Sequence, residues 1–249
     1  MGTCARCGNF ICSACATQKG DQTLCPTCAG LVDAGREPTP WEQREELGWR
    51  SGWWRTAKKV LIEPEKFWKT VRPHAPWQEA LWFGWLVVVA AAAIAIPFEL
   101  LQAGQMKELI ETFGKDLPKD VRTLLWSWGG PGAAIGIQVV STALYPVWLL
   151  INAAIVHVFA MLAGASKNGF GATVRALAYA SVPNVFAGIP YVGGLCGLYV
   201  IVLEVWALYK IQETTLARAL IAVLAPLVLL CCCIVGVGIA AVAMVARGN

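Results

Sequence analysis

Long apolar runs fill the last two thirds of the chain, whereas the first 78 residues are polar, basic or rich in cysteine. A helix that spans a bilayer needs about 20 consecutive apolar residues. Five runs reach that length, so the pattern predicts a five-span membrane domain over residues 79–246, with helices at 79–102, 132–163, 171–190, 194–212 and 217–246. The second helix is long enough that we expect it to bend, and Pro146 is the natural position for the bend.

Three shorter segments precede the membrane domain. Residues 1–30 contain three pairs of cysteines, residues 31–50 read as a linker with a short helix, and residues 51–78 combine cations with aromatic side chains. The predicted fold class is therefore an all-α membrane protein, with five transmembrane helices preceded by a small cysteine-rich zinc-binding module and an interfacial helix.

Composition supports a membrane protein. Only 14% of the 249 residues are charged and 57% are apolar, whereas a soluble domain is usually about 25% charged. The net charge of +4 is modest, and a nucleic-acid binder would need a concentrated basic stripe. We therefore expect lipid as the main solvent and no nucleic acid as a partner.

The placement of lysine and arginine predicts the orientation, because these residues accumulate on the cytosolic side of a membrane. Seven cations and two acids lie between Arg50 and Arg72, and the 164–175 loop has two cations and no acid. The 103–131 loop instead has four cations balanced by four acids. The N-terminus is therefore predicted to be cytosolic, with five crossings and the C-terminus outside.

The cysteine pairs have the spacing of metal ligands. Each pair has the form CxxC, at Cys4/Cys7, Cys12/Cys15 and Cys25/Cys28. Two such pairs can complete one closed tetrahedral Zn²⁺ site, and metal binding would supply the folding energy of a segment too small for a core. Disulfides or an iron–sulfur cluster are the alternatives. No histidine lies nearby, so a catalytic zinc is not expected.

Six cysteines are two more than one four-coordinate zinc ion needs and two fewer than two such ions need. The order C-x2-C-x4-C-x2-C-x9-C-x2-C resembles the end of B-box and RING-like cross-braced fingers, in which alternate pairs share a metal. This resemblance implies that Cys4, Cys7, Cys25 and Cys28 hold one zinc, while Cys12 and Cys15 would partner an upstream pair that is absent from this sequence. Cys12 and Cys15 also stay open as replacements for either pair. Small fingers of this kind usually bind proteins, which implies a cytosolic protein partner.

The basic and aromatic segment suits a membrane surface. Its aromatic rings can enter the headgroup layer while its cations meet anionic lipid. The candidate headgroup ligands are Arg55, Lys58, Lys59, Lys66, Lys69 and Arg72. The alternative is a juxtamembrane anchor that serves only to fix the topology.

Four polar side chains within the predicted spans form a candidate cluster: His157, Arg175, Tyr179 and Glu204. Ionisable groups in lipid are costly and are often functional. We expect Glu204 to contact Arg175 or Tyr179, with His157 close by. Alternatively Arg175 reaches the headgroups by itself and Glu204 reaches water. This cluster motivates one alternative function, a small transporter, channel or lipid-moving protein.

Two stretches resemble the Yip (Ypt-interacting protein) membrane family: "IEPEKFWKTV" before the first span, and the sequence from "GFGATVRALAYASVPN" onward. The resemblance covers roughly residues 60–246. It implies five spans, a cytosolic N-terminus and a non-enzymatic role in membrane organisation; eukaryotic members bind Rab-type GTPases and one another. A fused zinc finger is not the eukaryotic arrangement, which favours a bacterial member in the cytoplasmic membrane with no GTPase partner assumed.

The leading hypothesis is thus an integral membrane scaffold or adaptor. Its zinc module would recruit a cytosolic protein, and its membrane domain would organise lipid or form homo-oligomers. The sequence contains no HExxH, no Ser or Asp motif set in paired spans and no GxGD-like box, so no enzymatic activity is expected.

Overall fold

The computed structural model describes residues 2–5, 10–19, 22–32, 36–113 and 131–248. Most of these residues are helical, and the strands are confined to the N-terminal segment. The predicted fold class, a helical membrane protein with a small cysteine-rich module in front, is confirmed.

The N-terminal module consists of two small antiparallel sheets and one helix. Strands β1 (Gly2–Thr3) and β2 (Phe10–Ile11) form the first sheet, β3 (Thr17–Lys19) and β4 (Gln22–Leu24) form the second, and α1 (Pro26–Val32) follows. The buried side chains of the described part are few: Cys4, Ile11, Leu24, Cys28 and Ala29. Such a core is too small to stabilise a fold by itself, which agrees with a module held together by metal.

Three helices connect the module to the membrane domain: α2 (Arg44–Leu47), α3 (Trp49–Ile62) and α4 (Pro64–Thr70). Pro64 occupies the first turn of α4, where its missing N–H costs nothing. Phe67 and Trp68 of α4 are buried in the core of the membrane domain, whereas Trp54 of α3 is 63% exposed. The predicted interfacial segment is therefore a pair of helices, part of whose aromatic side chains pack into the domain.

The described membrane domain has five helices: α5 (Trp77–Phe113), α6 (Pro131–Leu162), α7 (Gly169–Ala180), α8 (Val192–Ile211) and α9 (Leu216–Gly248). Among the described residues, four of them are long and apolar enough to cross a membrane, over Trp77–Gln102, Gly132–Leu162, Val192–Ile211 and Leu216–Gly236. Pro146 lies inside α6 as expected, and Pro97 and Pro226 lie inside α5 and α9.

The third predicted span, 171–190, is not confirmed as a continuous helix. Helix α7 has 12 residues, about 18 Å of length, and a 3-10 helix (Val182–Phe186) follows it. Pro183 explains the interruption, because it has no N–H to continue the α-helical hydrogen bonds.

This broken segment nevertheless runs alongside α5. Gly171 lies against Trp77, Ala178 lies against Gly84, and Gly188 lies so close to Ala95 that a Cβ on Gly188 would approach the Ala95 Cβ to 2.3 Å. The contacts advance in the same direction along both segments. From Trp77 to Ala95 they cover 18 residues of α5, about 27 Å.

Helix α7 is enclosed by three other helices of the domain. All of its residues from Ala172 to Ala180 are buried, and it packs against α5, α6 and α8. Its alanines allow these helices to approach closely, as small residues do between membrane helices. Arg175 and Tyr179, two large polar side chains, are therefore enclosed completely.

Candidate metal centre and polar contacts of the membrane domain

Three of the four cysteines assigned by the finger resemblance come together. The sulfur atoms of Cys4, Cys25 and Cys28 all lie within 4.8 Å of one another. The backbone N–H of Cys25 donates to Cys4 Sγ at 3.3 Å, and the N–H of Cys28 donates to Cys25 Sγ at 3.4 Å. Cys7 lies outside the described residues. Three converging sulfur donors suit a soft metal such as zinc, so the residues present fit the predicted ion.

Cys12 and Cys15 do not join this cluster. Both side chains are exposed, and the N–H of Cys15 donates to Cys12 Sγ at 3.1 Å. A hydrogen bond between the two thiols lowers the pKa of Cys12 and raises that of Cys15. The converging cluster of the described residues therefore contains Cys4, Cys25 and Cys28, and the four-cysteine ligand set stays a prediction.

Arg175 pairs with an acid that the sequence reasoning did not consider. Its Nη2 lies 2.5 Å from Glu42 Oε1, and its Nη1 donates to the carbonyl of Pro76 at 3.2 Å. Arg72 contacts the other oxygen of Glu42 at 3.0 Å. The side chain of Arg175 is fully enclosed and that of Glu42 is only 6% exposed. Burial by itself would raise the pKa of Glu42, but the charge of Arg175 and the hydrogen bonds together outweigh it and lower this pKa.

Glu42 is presented by a capping box. The Thr39 N–H donates to Glu42 Oε2 at 3.0 Å, and the Glu42 N–H donates to Thr39 Oγ1 at 3.3 Å. The sequence Thr-Pro-Trp-Glu at 39–42 has the signature of this motif, a Thr followed three residues later by Glu. Pro40 at the first position also suits a helix start. The signal was thus present in the segment that we had interpreted as a linker.

Tyr179 is bound by the same segment. Its hydroxyl lies 3.2 Å from Thr39 Oγ1, and its ring packs against Phe67 and Phe83 with ring centroids 5.5 and 5.1 Å apart. Arg175 and Tyr179 lie one turn apart, and the Arg175 guanidinium is 5.5 Å from the centre of the Tyr179 ring. Both side chains therefore serve to attach residues 39–42 to α7.

The expected contact between Glu204 and Arg175 or Tyr179 is wrong. Glu42 binds Arg175 and Thr39 binds Tyr179, and among the described residues no hydrogen bond or ion pair joins either side chain to Glu204. Glu204 is partly buried and lies near Tyr145 of α6 instead. A partner for Arg175 was expected within the predicted spans, whereas Glu42 lies in the segment before them.

His157 belongs to a separate network. Its Nδ1 lies 2.9 Å from Thr173 Oγ1, and its Nε2 lies 3.3 Å from Ser166 Oγ. The buried amide of Gln212 donates to the same Thr173 hydroxyl at 3.0 Å and to the Gly169 carbonyl, and its oxygen accepts the Asn168 N–H at 2.7 Å. The network connects α6, α7 and the end of α8, and its described hydrogen bonds do not include Glu204.

The six predicted headgroup cations divide into two groups. Three have acidic partners in the structure: Lys66 with Glu63, Lys69 with Glu65, and Arg72 with Glu42. The other three are exposed along one face of α3, and no ion pair is found for them among the described residues: Arg55, Lys58 and Lys59. They line a cleft of about 390 Å³, whose other lining residues are Pro40, Gln43, Leu47, Ile62 and Glu63.

A family model described as the Yip1 domain matches residues 58–244. The chain belongs to the Yip1 domain family. The resemblance recognised in the sequence is thereby confirmed, and with the four long apolar helices it establishes an integral membrane protein. No curated protein and no solved structure matches the chain. The cysteine module and Glu42 lie before the matched residues, whereas Arg175 lies within them, so the buried ion pair joins the Yip1 domain to its N-terminal extension.

Proposed function

We propose that this protein is a non-enzymatic membrane scaffold of the Yip type, in which a zinc module recruits a cytosolic protein to the membrane domain. The observation that carries this proposal is the Glu42–Arg175 ion pair. A pair this deeply buried attaches the extension to α7, and the extension is the part of the chain that bears the cysteine module.

Further contacts attach the extension at other points. Arg36 donates to the carbonyl of Val71 at 2.7 Å and forms an ion pair with Glu213 at 3.0 Å. The Trp41 indole donates to the carbonyl of Glu79 at 2.7 Å, and the Trp41 ring is buried. Helix α1 ends at Val32, and the four peptide units from there to Arg36 span at most about 14 Å. The module is therefore held close to a fixed point on the domain, as recruitment to the membrane requires.

The proposal includes an orientation and a lipid preference. With the N-terminus in the cytosol, the module meets cytosolic proteins. The basic face of α3 then binds anionic lipid headgroups, because its three adjacent cations form no ion pair with any described residue and attract them. The bacterial cytoplasmic membrane is the proposed location.

Crosslinking in intact cells tests recruitment. We compare the full-length protein with a Cys4→Ser/Cys28→Ser variant, which removes two converging sulfur donors. Cys232→Ser is the matched control, because Cys232 is exposed on α9, far along the chain from the module. We expect a cytosolic protein to be crosslinked to the wild type and to the control and to be lost from the double variant, with equal membrane insertion of all three. An unchanged set of crosslinked proteins would contradict the recruiting role.

A second candidate is lipid handling, which one cavity favours. A groove of about 600 Å³ lies between α4, α8 and α9 and is lined mainly by apolar side chains, including Val205, Trp206 and Leu220, together with Glu65 and Lys210. This volume is in the range of small-molecule sites. Reconstituted vesicles with a fluorescent lipid and a membrane-impermeant quencher would test it, because lipid movement exposes the inner-leaflet probe. Quenching equal to that of protein-free vesicles would exclude this candidate.

A further inference from the structure

Cys12 and Cys15 have the local geometry of a metal-binding knuckle. The backbone N–H of Cys15 donates to Cys12 Sγ at 3.1 Å and to the Cys12 carbonyl at 3.0 Å. The Cys25/Cys28 pair has the same N–H to sulfur contact, at 3.4 Å, and its sulfurs belong to the converging cluster. The two turns are thus built alike, although only one of them takes part in the internal site.

The Cys12/Cys15 pair supplies half of a closed site. A structural zinc takes four ligands, and this pair provides two. Within the described ranges, no third cysteine, histidine or carboxylate converges on these two sulfurs. Both thiols are exposed, so donors from another molecule can reach them.

We propose that Cys12 and Cys15 bind a second zinc ion shared with the same two residues of a second copy of this chain. This inference deepens the proposed zinc module. Two pairs related by a two-fold axis give four thiolates around one ion, which is a complete tetrahedral set. A two-fold axis is also the commonest symmetry of protein oligomers, and it requires only that the same surface be used on both copies.

Two further observations point to a second copy as the source of the missing donors. Phe10 lies two residues before Cys12 and is 88% exposed, so an apolar ring stands beside the half site and becomes covered when two modules meet. All copies of a membrane protein also carry their modules on the same side of the bilayer, and the membrane confines them to a layer. Confinement raises the effective concentration at which two half sites meet.

The shared ion makes the oligomeric state depend on zinc. The metal binds only the paired form, so zinc shifts the equilibrium toward the dimer by mass action. The internal site at Cys4, Cys25 and Cys28 does not depend on pairing, and the two sites therefore differ in their response to dilution and to chelators.

The test measures zinc content and mass on the full-length protein in detergent, with zinc as the only added metal. We expect a dimer with about 1.5 zinc per chain, one internal and half of a shared ion. The Cys12→Ser/Cys15→Ser variant should retain about one zinc per chain and be monomeric at the same concentration. The Cys232→Ser control should behave as the wild type. A Cys4→Ser/Cys28→Ser variant should lose the internal zinc, which separates failure of the internal site from failure of the shared one.

A mixing experiment guards against indirect effects on folding. Wild-type chains and Cys12→Ser/Cys15→Ser chains carrying different tags should not co-purify, because a mixed pair offers only two thiolates. Phe10→Ser should weaken the dimer while leaving the internal zinc in place.

Four results would overturn the proposal. These are a wild-type monomer with one zinc per chain, a monomer with two, a dimer that persists unchanged after chelation, and a Cys12–Cys15 disulfide in protein kept under cytosolic reducing conditions.

Discussion

The Glu42–Arg175 ion pair gives a prediction about how the extension is attached. Removing one partner of a buried pair typically costs about 3–5 kcal/mol, because the other charge stays buried without compensation. Glu42→Leu would leave the fully enclosed Arg175 with the Pro76 carbonyl and the face of the Tyr179 ring as its partners among the described residues, and with no acid. Arg175→Leu would leave Glu42 with Arg72 and the Thr39 N–H. We therefore expect Glu42→Leu to be the more destabilising of the two changes.

The assay is thermal unfolding in detergent, followed by tryptophan fluorescence. For a chain of this size, 1 kcal/mol corresponds to a shift in Tm of about 2–4 °C, so Glu42→Leu should lower Tm by about 6 °C or more. The double variant Glu42→Leu/Arg175→Leu should be less destabilised than the sum of the single changes, since residues in direct contact are not additive. Glu204→Leu combined with Arg175→Leu is the matched control and should be additive.

Additive effects of Glu42→Leu and Arg175→Leu would refute the contact. So would a Glu42→Leu variant as stable as the wild type, because a surface position would tolerate that change. A coupling between Glu204 and Arg175 would restore the arrangement that we first expected from the sequence.

Four other predictions concern pH, metal, topology and lipid. The pKa of Glu42 is lowered in the folded protein, so its contribution to the free energy of unfolding is fully present above the ordinary carboxyl range. The Tm should therefore fall as the pH drops through that range toward the lowered pKa. Glu42→Gln should flatten this dependence of Tm on pH. Cys28→Ser should release the internal zinc and make the module sensitive to protease, whereas Cys12→Ser should leave the internal zinc bound, as elemental analysis would show. A cysteine placed at Lys115 should be labelled from outside intact cells, and labelling only after permeabilisation would contradict the five-span orientation. Anionic vesicles should stabilise the protein less after the basic face of α3 is changed to glutamine at Arg55, Lys58 and Lys59, with an effect of about 1 kcal/mol per cation that weakens in salt. An equal effect of changing Lys66 and Lys69 would contradict the role of this face.

Hydrophobic patterning located the long helices because each apolar run is longer than the buried helices of a soluble protein require. The pattern could not show that the third run breaks after Ala180. Apolar side chains predominate on both sides of the break, and only Pro183 and the glycines that follow indicate irregular backbone. The cysteine spacing likewise indicated a metal site, because a CxxC turn fixes the geometry of its own pair. Which pairs converge depends on tertiary folding, and there the finger resemblance added what the spacing lacks.

The polar contacts show where reading each segment separately fails. Arg175 in an apolar helix was correctly recognised as a residue that needs a partner, since a buried guanidinium without one is costly. The nearest acid along the membrane sequence, Glu204, was the wrong choice. The partner, Glu42, stands 133 residues away in a capping box, and that box is recognisable as a helix start from the sequence. A capping box leaves its glutamate at a defined position with one carboxylate oxygen still able to accept a cation. The motif that forms the turn before α2 therefore also presents the acid that the membrane domain requires, and a change at Thr39 should weaken the attachment even though Thr39 carries no charge.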